Sequence, residues 1–318
     1  MIVRWSRFEL PDVLAEVGVA RPFLVASERW ANFLELPFVG RWTEVPSHEI
    51  AVSGDADGLV ALGGGSAIDT AKAASAQTGL PLVSIPTTYS GSEWTGFFGR
   101  RSPDRRMVGG GGGANLAGIV YDVMLTFGLP RAETVGTAMN ALAHCAEALY
   151  GQTSAESDAL ALAGAERIAN ALPVVVADPG DVDGRIELLK GAADAGHALS
   201  LAGLALSHAI AQVIGGSYGI SHGAMNALSL PPALRFNVAV VPDAVARFGA
   251  AIGAEADPAA KLEELARLGG FGGLGSYGVP GDDLPRLAAE IAARPGNGMN
   301  PRPATQAEIE QMLRSIYE

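Results

Sequence analysis

The sequence predicts an α/β domain followed by an all-helical domain. Three observations carry that expectation. Short β-rich apolar runs alternate with helix-like stretches over the first 130 residues, Gly128-Leu129-Pro130 punctuates the chain, and long Ala/Leu-rich segments with helical periodicity follow it. The first strand is expected at Arg21 to Ala26, the next at Gly58 to Leu62, and two more at Leu80 to Pro86 and Ala117 to Tyr121, each bounded by Gly, Pro or charge. A helix is expected over Ile68 to Gln77, so strands alternate with helices and the sheet should be mainly parallel. Beyond Pro130, helices are expected over Ala132 to Tyr150, Ser157 to Leu172, Arg185 to Ile214, Ala244 to Ile252 and Pro258 to Leu268. The expected domains are therefore 1–130 and 131–318, with a cleft between them and no internal repeat.

Composition narrows the function. The chain has 318 residues, 48% of them apolar and 18% charged, and its 41 Gly and 19 Pro are interleaved with apolar runs, as in an ordered protein. Its net charge of −12 offers no footprint for nucleic acid or an anionic membrane surface. The single cysteine, Cys145, cannot form an internal disulfide, and the N-terminal residues lack the apolar core of a signal peptide. With no uninterrupted apolar stretch of membrane-spanning length, the expected compartment is the cytoplasm.

Two groups of residues carry chemistry. Gly63-Gly64-Gly65-Ser66-Ala67-Ile68-Asp69 follows a buried strand and opens a helix, where free amides favour an anion, and Ser66 and Asp69 have the spacing of a capping box. Ile68 stands where a G-x-G-x-x-G turn has its last glycine, and no Gly-Lys-Ser/Thr follows, so an ordinary strand-to-helix turn accounts for the motif equally well. The second group is drawn from five histidines, at 48, 144, 197, 208 and 222. Asn140 and His144 share one helix face, His208 lies on a later helix, and His222 follows a break at Gly215-Gly216. Together they could surround one Zn²⁺ or Fe²⁺, although Asn supplies no negative charge and core histidines explain the residues as well. On one continuous helix His197 would lie about 16 Å from His208, outside such a site.

The segments GGGSAIDTAK (63–72), PLVSIPTTYSGSEWTGFFG (81–99), IVYDVMLTFGLP (119–130), AMNALAHCAEALY (138–150), SHAIAQVIGGSYGISHGAMNALSLPPALRFN (207–237) and NPRPAT (300–305) resemble, in this order, the iron-containing alcohol dehydrogenase superfamily and its maleylacetate reductase branch. The resemblance implies a Rossmann-like domain plus a helical domain, the fold shared with dehydroquinate synthase, and NADH or NADPH as cofactor. It places Gly64, Gly65, Ser66 and Asp69 at the pyrophosphate turn, Thr87 and Thr88 beside the adenine, and Ser92 near the ribose or nicotinamide. It makes Asn140, His144, His208 and His222 the vestigial metal-ligand positions, with Asn replacing the usual Asp, so that bound metal is expected to be absent. The three histidines and Gln212 are then the catalytic candidates, and the family usually forms homodimers.

Four departures qualify the resemblance. Gln212 stands where relatives carry a His, and Gln cannot shuttle a proton at neutral pH. The stretch between the first strand and Gly58 is short by about one helix. A glycine run occupies the place of a Lys-bearing hairpin between Met107 and Ile119, and Ser27 replaces the Asp that selects NADH over NADPH. The expected activity is reduction of a small oxo-carboxylate, maleylacetate to 3-oxoadipate by default, and the departures keep open a non-redox lyase, cyclase or isomerase on the same scaffold. Arg100, Arg101, Arg105, Arg106 and Arg302 are candidate carboxylate or phosphate ligands, with an exposed hairpin and a structural turn as the plainer explanations. Tyr89, Trp94, Phe97 and Phe98 are expected beside the nicotinamide, and Cys145 is expected to point away from His144.

Overall fold

A computed structural model describes residues 1–318 and divides into two compact units, one of residues 1–88 and 92–128, the other of residues 89–91 and 129–318. In the first unit the elements run β1 (Ile2–Arg4), α1 (Leu10–Glu16), β2 (Pro22–Ala26), β3 (Gly40–Trp42), β4 (Gly58–Gly63), α2 (Gly65–Thr78), β5 (Leu82–Pro86), β6 (Phe98–Arg101), β7 (Met107–Gly111) and β8 (Leu116–Val120). Six strands form one parallel sheet in the order β1-β8-β5-β4-β2-β3, while β6 and β7 make a separate antiparallel pair. The four expected strands are the four central ones. Side chains alternate across β4, so Val60 and Leu62 pack with Val13, Val83 and Ile85 on one face, and Leu59 and Ala61 pack with Phe23, Ile68 and Ala71 on the other. Each buried Val, Leu, Ile or Phe among them contributes roughly 1.5–3 kcal/mol. The edge strands β1 and β3 escape sequence reading because each has only three half-exposed or exposed residues.

The second unit is helical throughout: α3 (Arg131–Ala148), α4 (Ala155–Ala177), α5 (Val182–Ala202), α6 (Leu206–Tyr218), α7 (His222–Val238), α8 (Pro242–Ala251), α9 (Pro258–Arg267), α10 (Leu284–Ala292), α11 (Pro295–Met299) and α12 (Gln306–Ser315). Several starts are fixed by side-chain caps. Ser154 and Ser157 form a capping box on α4, Thr305 and Glu308 form another on α12, and Asp181, Ser221 and Asp257 cap α5, α7 and α9. Helix α4 is long and apolar enough to cross a bilayer, yet it packs on α3 and α5.

Two expectations are corrected in this unit. Arg185 to Ile214 is not one helix: the chain breaks at Gly203, whose φ of +79° is costly for any other residue, and α5 and α6 turn by 102°. His197 and His208 therefore belong to different helices. Gly215 and Gly216 lie inside α6, and the break before His222 falls at Gly219. Glycines also set the spacing around the histidines, for a Cβ on Gly223 of α7 would come within 2.6 Å of the Gly136 carbonyl carbon on α3. Backbones that close bring the side chains of α3 and α7 within reach of each other.

Candidate active site

The glycine turn joins β4 to α2. Gly63 has φ +153°, Gly64 is the N-cap of α2, and no side chain caps the helix. The first backbone-bonded amides are those of Ala67 and Ile68, which both donate to Gly64 O, so the amides of Gly65 and Ser66 stand at an open, positive helix start. A Cβ on Gly64 would fill the space against Thr88, 2.8 Å from its Cγ2, and the Thr88 hydroxyl is buried with no hydrogen-bond partner. An uncapped helix start, a cradle that only glycine leaves open and an orphaned hydroxyl are what a phosphate group would satisfy.

The capping box expected of Ser66 and Asp69 is absent, because the Asp69 carboxylate is held elsewhere. Its Oδ1 accepts from Lys72 Nζ at 3.2 Å and from Ser92 Oγ at 2.8 Å, and its Oδ2 accepts from Gly99 N at 3.2 Å. Lys72 is fully buried and also donates to Ser92 Oγ, Thr95 Oγ1 and the Phe97 carbonyl. Asp69 and Ser92 are members of one network that ties the turn's helix to the segment around residues 92–99. Lys72 lies outside the residues the sequence nominates, and its signal there is a lysine on the apolar face of α2, which has to find such partners. Thr87 is buried, and its amide donates to Gly63 O at 3.0 Å, closing the other side of the turn.

In the helical unit, Asn140, His144, His208 and His222 do come together. The His144 and His208 rings stack at 4.8 Å with 13° between their planes, and the His222 ring lies 5.6 Å from that of His208. His208 Nδ1 is 2.7 Å from Glu147 Oε2, and the same carboxylate accepts from the amides of Ala205 at 2.7 Å and His208 at 3.2 Å. Glu147 therefore caps α6 and fixes the His208 ring at once. On the ring's other side, Nε2 lies 3.3 Å from Asn140 Oδ1, an atom that also accepts from Asn226 Nδ2 at 2.7 Å. Asn140 cannot be turned over, because its Nδ2 donates to Ser90 O at 2.8 Å. Both His208 nitrogens are thus engaged by neighbouring oxygens, Nδ1 by the Glu147 carboxylate and Nε2 by the Asn140 amide.

His144 differs. Burial, reinforced by the neighbouring imidazoles of His208 and His222, holds it well below the ordinary histidine range, so it is neutral near pH 7. Its Nδ1 is buried without a partner. Only His222, at the first turn of α7, is half-exposed.

A resident metal ion does not fit these residues as arranged. An ion needs converging lone pairs at about 2 Å. Here the Asn140 oxygen is occupied, both His208 nitrogens are engaged, two rings are stacked, and no group of three His, Cys, Asp or Glu side chains converges.

Other candidates fall outside the cluster. Arg302 is held by Glu308 through two hydrogen bonds and stacks 4.2 Å over Phe236, which makes it structural. The arginines at 100, 101, 105 and 106 lie on the β6–β7 hairpin, where burial lowers Arg101 from its ordinary range. Of the four aromatic residues, Tyr89 is buried and accepts from Arg185, Trp94 donates to Tyr121 Oη, Phe97 is exposed and Phe98 opens β6. Cys145 is buried beside Gly164 of α4, and burial pushes its thiol up and out of nucleophilic use. His48 is exposed near Glu49, and His197 lies on α5. Gln212 sits one turn beyond His208 on α6, where its Oε1 accepts from Arg294 Nη2 at 3.3 Å. Glu147 and Arg294 escaped sequence reading. The signal for Glu147 was its position three residues after His144, on the stripe that begins at Asn140.

Comparison with known proteins agrees with this architecture. Residues 134–317 match the C-terminal domain of the Fe-containing alcohol dehydrogenase family, and residues 47–111 match iron-containing alcohol dehydrogenase. The maleylacetate reductase of Sphingobium indicum is 36% identical over 83% of this chain and 75% of its own length, and maleylacetate reductase 1 of Rhodococcus opacus is 36% identical over 83% and 74%. The crystal structure of maleylacetate reductase from Agrobacterium tumefaciens superimposes with a TM-score of 0.86 at 28% identity, covering 99% of this chain and 95% of that one. The glycine turn and the histidine cluster each lie inside a matched segment, and the chain belongs to the iron-containing alcohol dehydrogenase family, on its maleylacetate reductase-like branch.

Proposed function

We propose that the protein is a nicotinamide-dependent reductase of a small unsaturated oxo-dicarboxylate, taking maleylacetate to 3-oxoadipate in the cytoplasm. The observation that carries this reading is the presence of both halves of the machinery in one reductase-like chain, an open phosphate-binding turn and a buried His–Glu–Asn network. The net change adds a hydride and a proton across one carbon–carbon double bond. NADH or NADPH, when bound, supplies the hydride.

The chain's own residues do the rest. Gly65 and Ser66 offer amides to phosphate, and the Thr88 hydroxyl gains the partner it lacks. Asp69, Lys72 and Ser92 hold the surrounding loop in place. In the helical unit His222, the half-exposed imidazole, is the group that reaches substrate and stabilises negative charge or donates the proton. His208, fixed by Glu147 and Asn140, supplies a rigid N–H-bearing surface behind it, and His144 remains a neutral packing partner. No step uses a metal.

The test is consumption of reduced nucleotide in the presence of maleylacetate. Wild type should show it with NADH or NADPH, and His222→Ala should lose about 10²- to 10⁴-fold in kcat with its helical content unchanged. Inertness of the wild-type protein with both nucleotides contradicts the reading.

A further inference from the structure

Arg294 sits at the junction of α10 and α11, and its surroundings are unlike those of the other candidate arginine, Arg302. Arg302 has a carboxylate and an aromatic ring; Arg294 has neither. Its side-chain bond is a 3.3 Å contact from Nη2 to the neutral Gln212 amide, and its Nε is buried with no acceptor. Arg294 Nε is the one guanidinium nitrogen in the chain that is buried with no hydrogen-bond partner. Such a group is under-satisfied, because its partly removed hydration has been replaced by one long hydrogen bond to an uncharged partner.

The backbone under Arg294 is fixed. Asn297, buried in the same turn, donates to Ala292 O at 3.1 Å and Ala304 O at 3.0 Å and accepts from Ala304 N at 2.9 Å. A Cβ on Gly296 would come within 2.8 Å of Ala205 O, so this turn is pressed against the start of α6. Gln212 lies four residues beyond His208 on that same helix, hence on the same face and about 6 Å further along the axis. The guanidinium is thereby held at the Gln212 side chain, whose backbone lies one helical turn from His208.

We propose that Arg294 and Gln212 form the subsite for a substrate carboxylate. This rests on the reductase reading above. A carboxylate replaces the long Arg294–Gln212 contact with charge-assisted bonds to the guanidinium edge, while Gln212, whose Oε1 faces Arg294, turns its amide N–H groups to the incoming oxygen. The site selects a ligand bearing a carboxylate about one helical turn from the carbon that reacts near the histidines. Neutral aldehydes and alcohols gain nothing from it.

Calorimetric titration of the full chain with 3-oxoadipate and with its dimethyl ester tests the subsite apart from the chemistry. Wild type should bind the diacid roughly 10- to 100-fold more tightly than the ester, and Arg294→Gln should lose that factor for the diacid while leaving the ester unchanged. Arg294→Lys, which keeps the charge and loses the fork, should fall between. Should Arg294→Gln unfold, unchanged diacid affinity in Arg294→Lys overturns the proposal. It is overturned equally if wild type does not distinguish diacid from ester, or if Arg294→Gln binds the diacid as wild type does or weakens both ligands alike. Parallel kinetics separate the two claims. Turnover of maleylacetate with a KM untouched by Arg294→Gln keeps the reductase and removes the subsite, whereas Arg294-dependent diacid binding without any turnover keeps the subsite and removes the reductase.

Discussion

Glu147 and His208, on neighbouring helices, are joined by a 2.7 Å bond between Oε2 and Nδ1 in the interior of the helical unit. The carboxylate has no solvent exposure, and every acceptor bond it makes serves α6, through the His208 ring and the first amides of the helix. Removing one member strands the other. Glu147→Ala should therefore cost about 3–5 kcal/mol in urea unfolding, whereas Glu147→Gln, which keeps one acceptor oxygen, should cost less. Equal, small losses for both substitutions would show that the pair does not hold α6 in place.

The metal question has a direct answer. The three histidines and Asn140 bring no negative charge to offset a double positive one, and His208 is already engaged on both nitrogens. Purified protein should contain far less than one iron or zinc per chain by elemental analysis, and Asn140→Asp should raise Zn²⁺ affinity by restoring a charged ligand. One metal per chain surviving dialysis against a chelator contradicts this.

Thr88→Val separates binding from folding. The substitution removes a buried hydroxyl with no partner, so stability should hold or rise. Nucleotide affinity should fall about 2- to 12-fold, the worth of one net hydrogen bond. Unchanged NADH and NADPH affinity, read by fluorescence titration, would place the phosphate elsewhere.

Glu93 gives a pH signature. Burial raises its carboxyl above the ordinary value of 4.5, against the opposing effects of hydrogen bonding by its own backbone and the Tyr121 hydroxyl and of the nearby Lys72 charge. The folded chain thus keeps this proton to higher pH than the unfolded chain, so its contribution to stability is complete below about pH 4.5 and is lost as pH rises through the folded value. Glu93→Gln cannot ionise. Its melting temperature relative to wild type should therefore climb as pH rises above about 4.5, and a difference that stays flat as pH rises contradicts the assignment.

Much of this arrangement was legible in the residues. The central strands announced themselves as apolar runs such as LVAL and LVSIP, because a strand covered on both faces needs no polar alternation. Helical period put Asn140 and His144 on one face, while the joining of His208 and His222 to them was one of two open readings of the spacing and became an expectation through the family resemblance. The break at Gly203 was not, because one glycine in an Ala/Leu run is compatible with a continuous helix until tertiary packing demands its positive φ. The same limit hid the carboxylate partners. The NPRP segment made Arg302 a carboxylate candidate, but only the three-dimensional arrangement shows that Glu308 occupies it and that Arg294 has no such partner.

The most direct test of the account is the fate of the hydrogen on the nucleotide. Reduced nucleotide carrying deuterium at both positions of nicotinamide C4 should transfer one deuterium per molecule to the product, so that mass spectrometry finds singly deuterated 3-oxoadipate formed from maleylacetate in step with nucleotide oxidation. Product free of deuterium, or maleylacetate left unchanged with both NADH and NADPH, would contradict the assignment of this chain as a reductase.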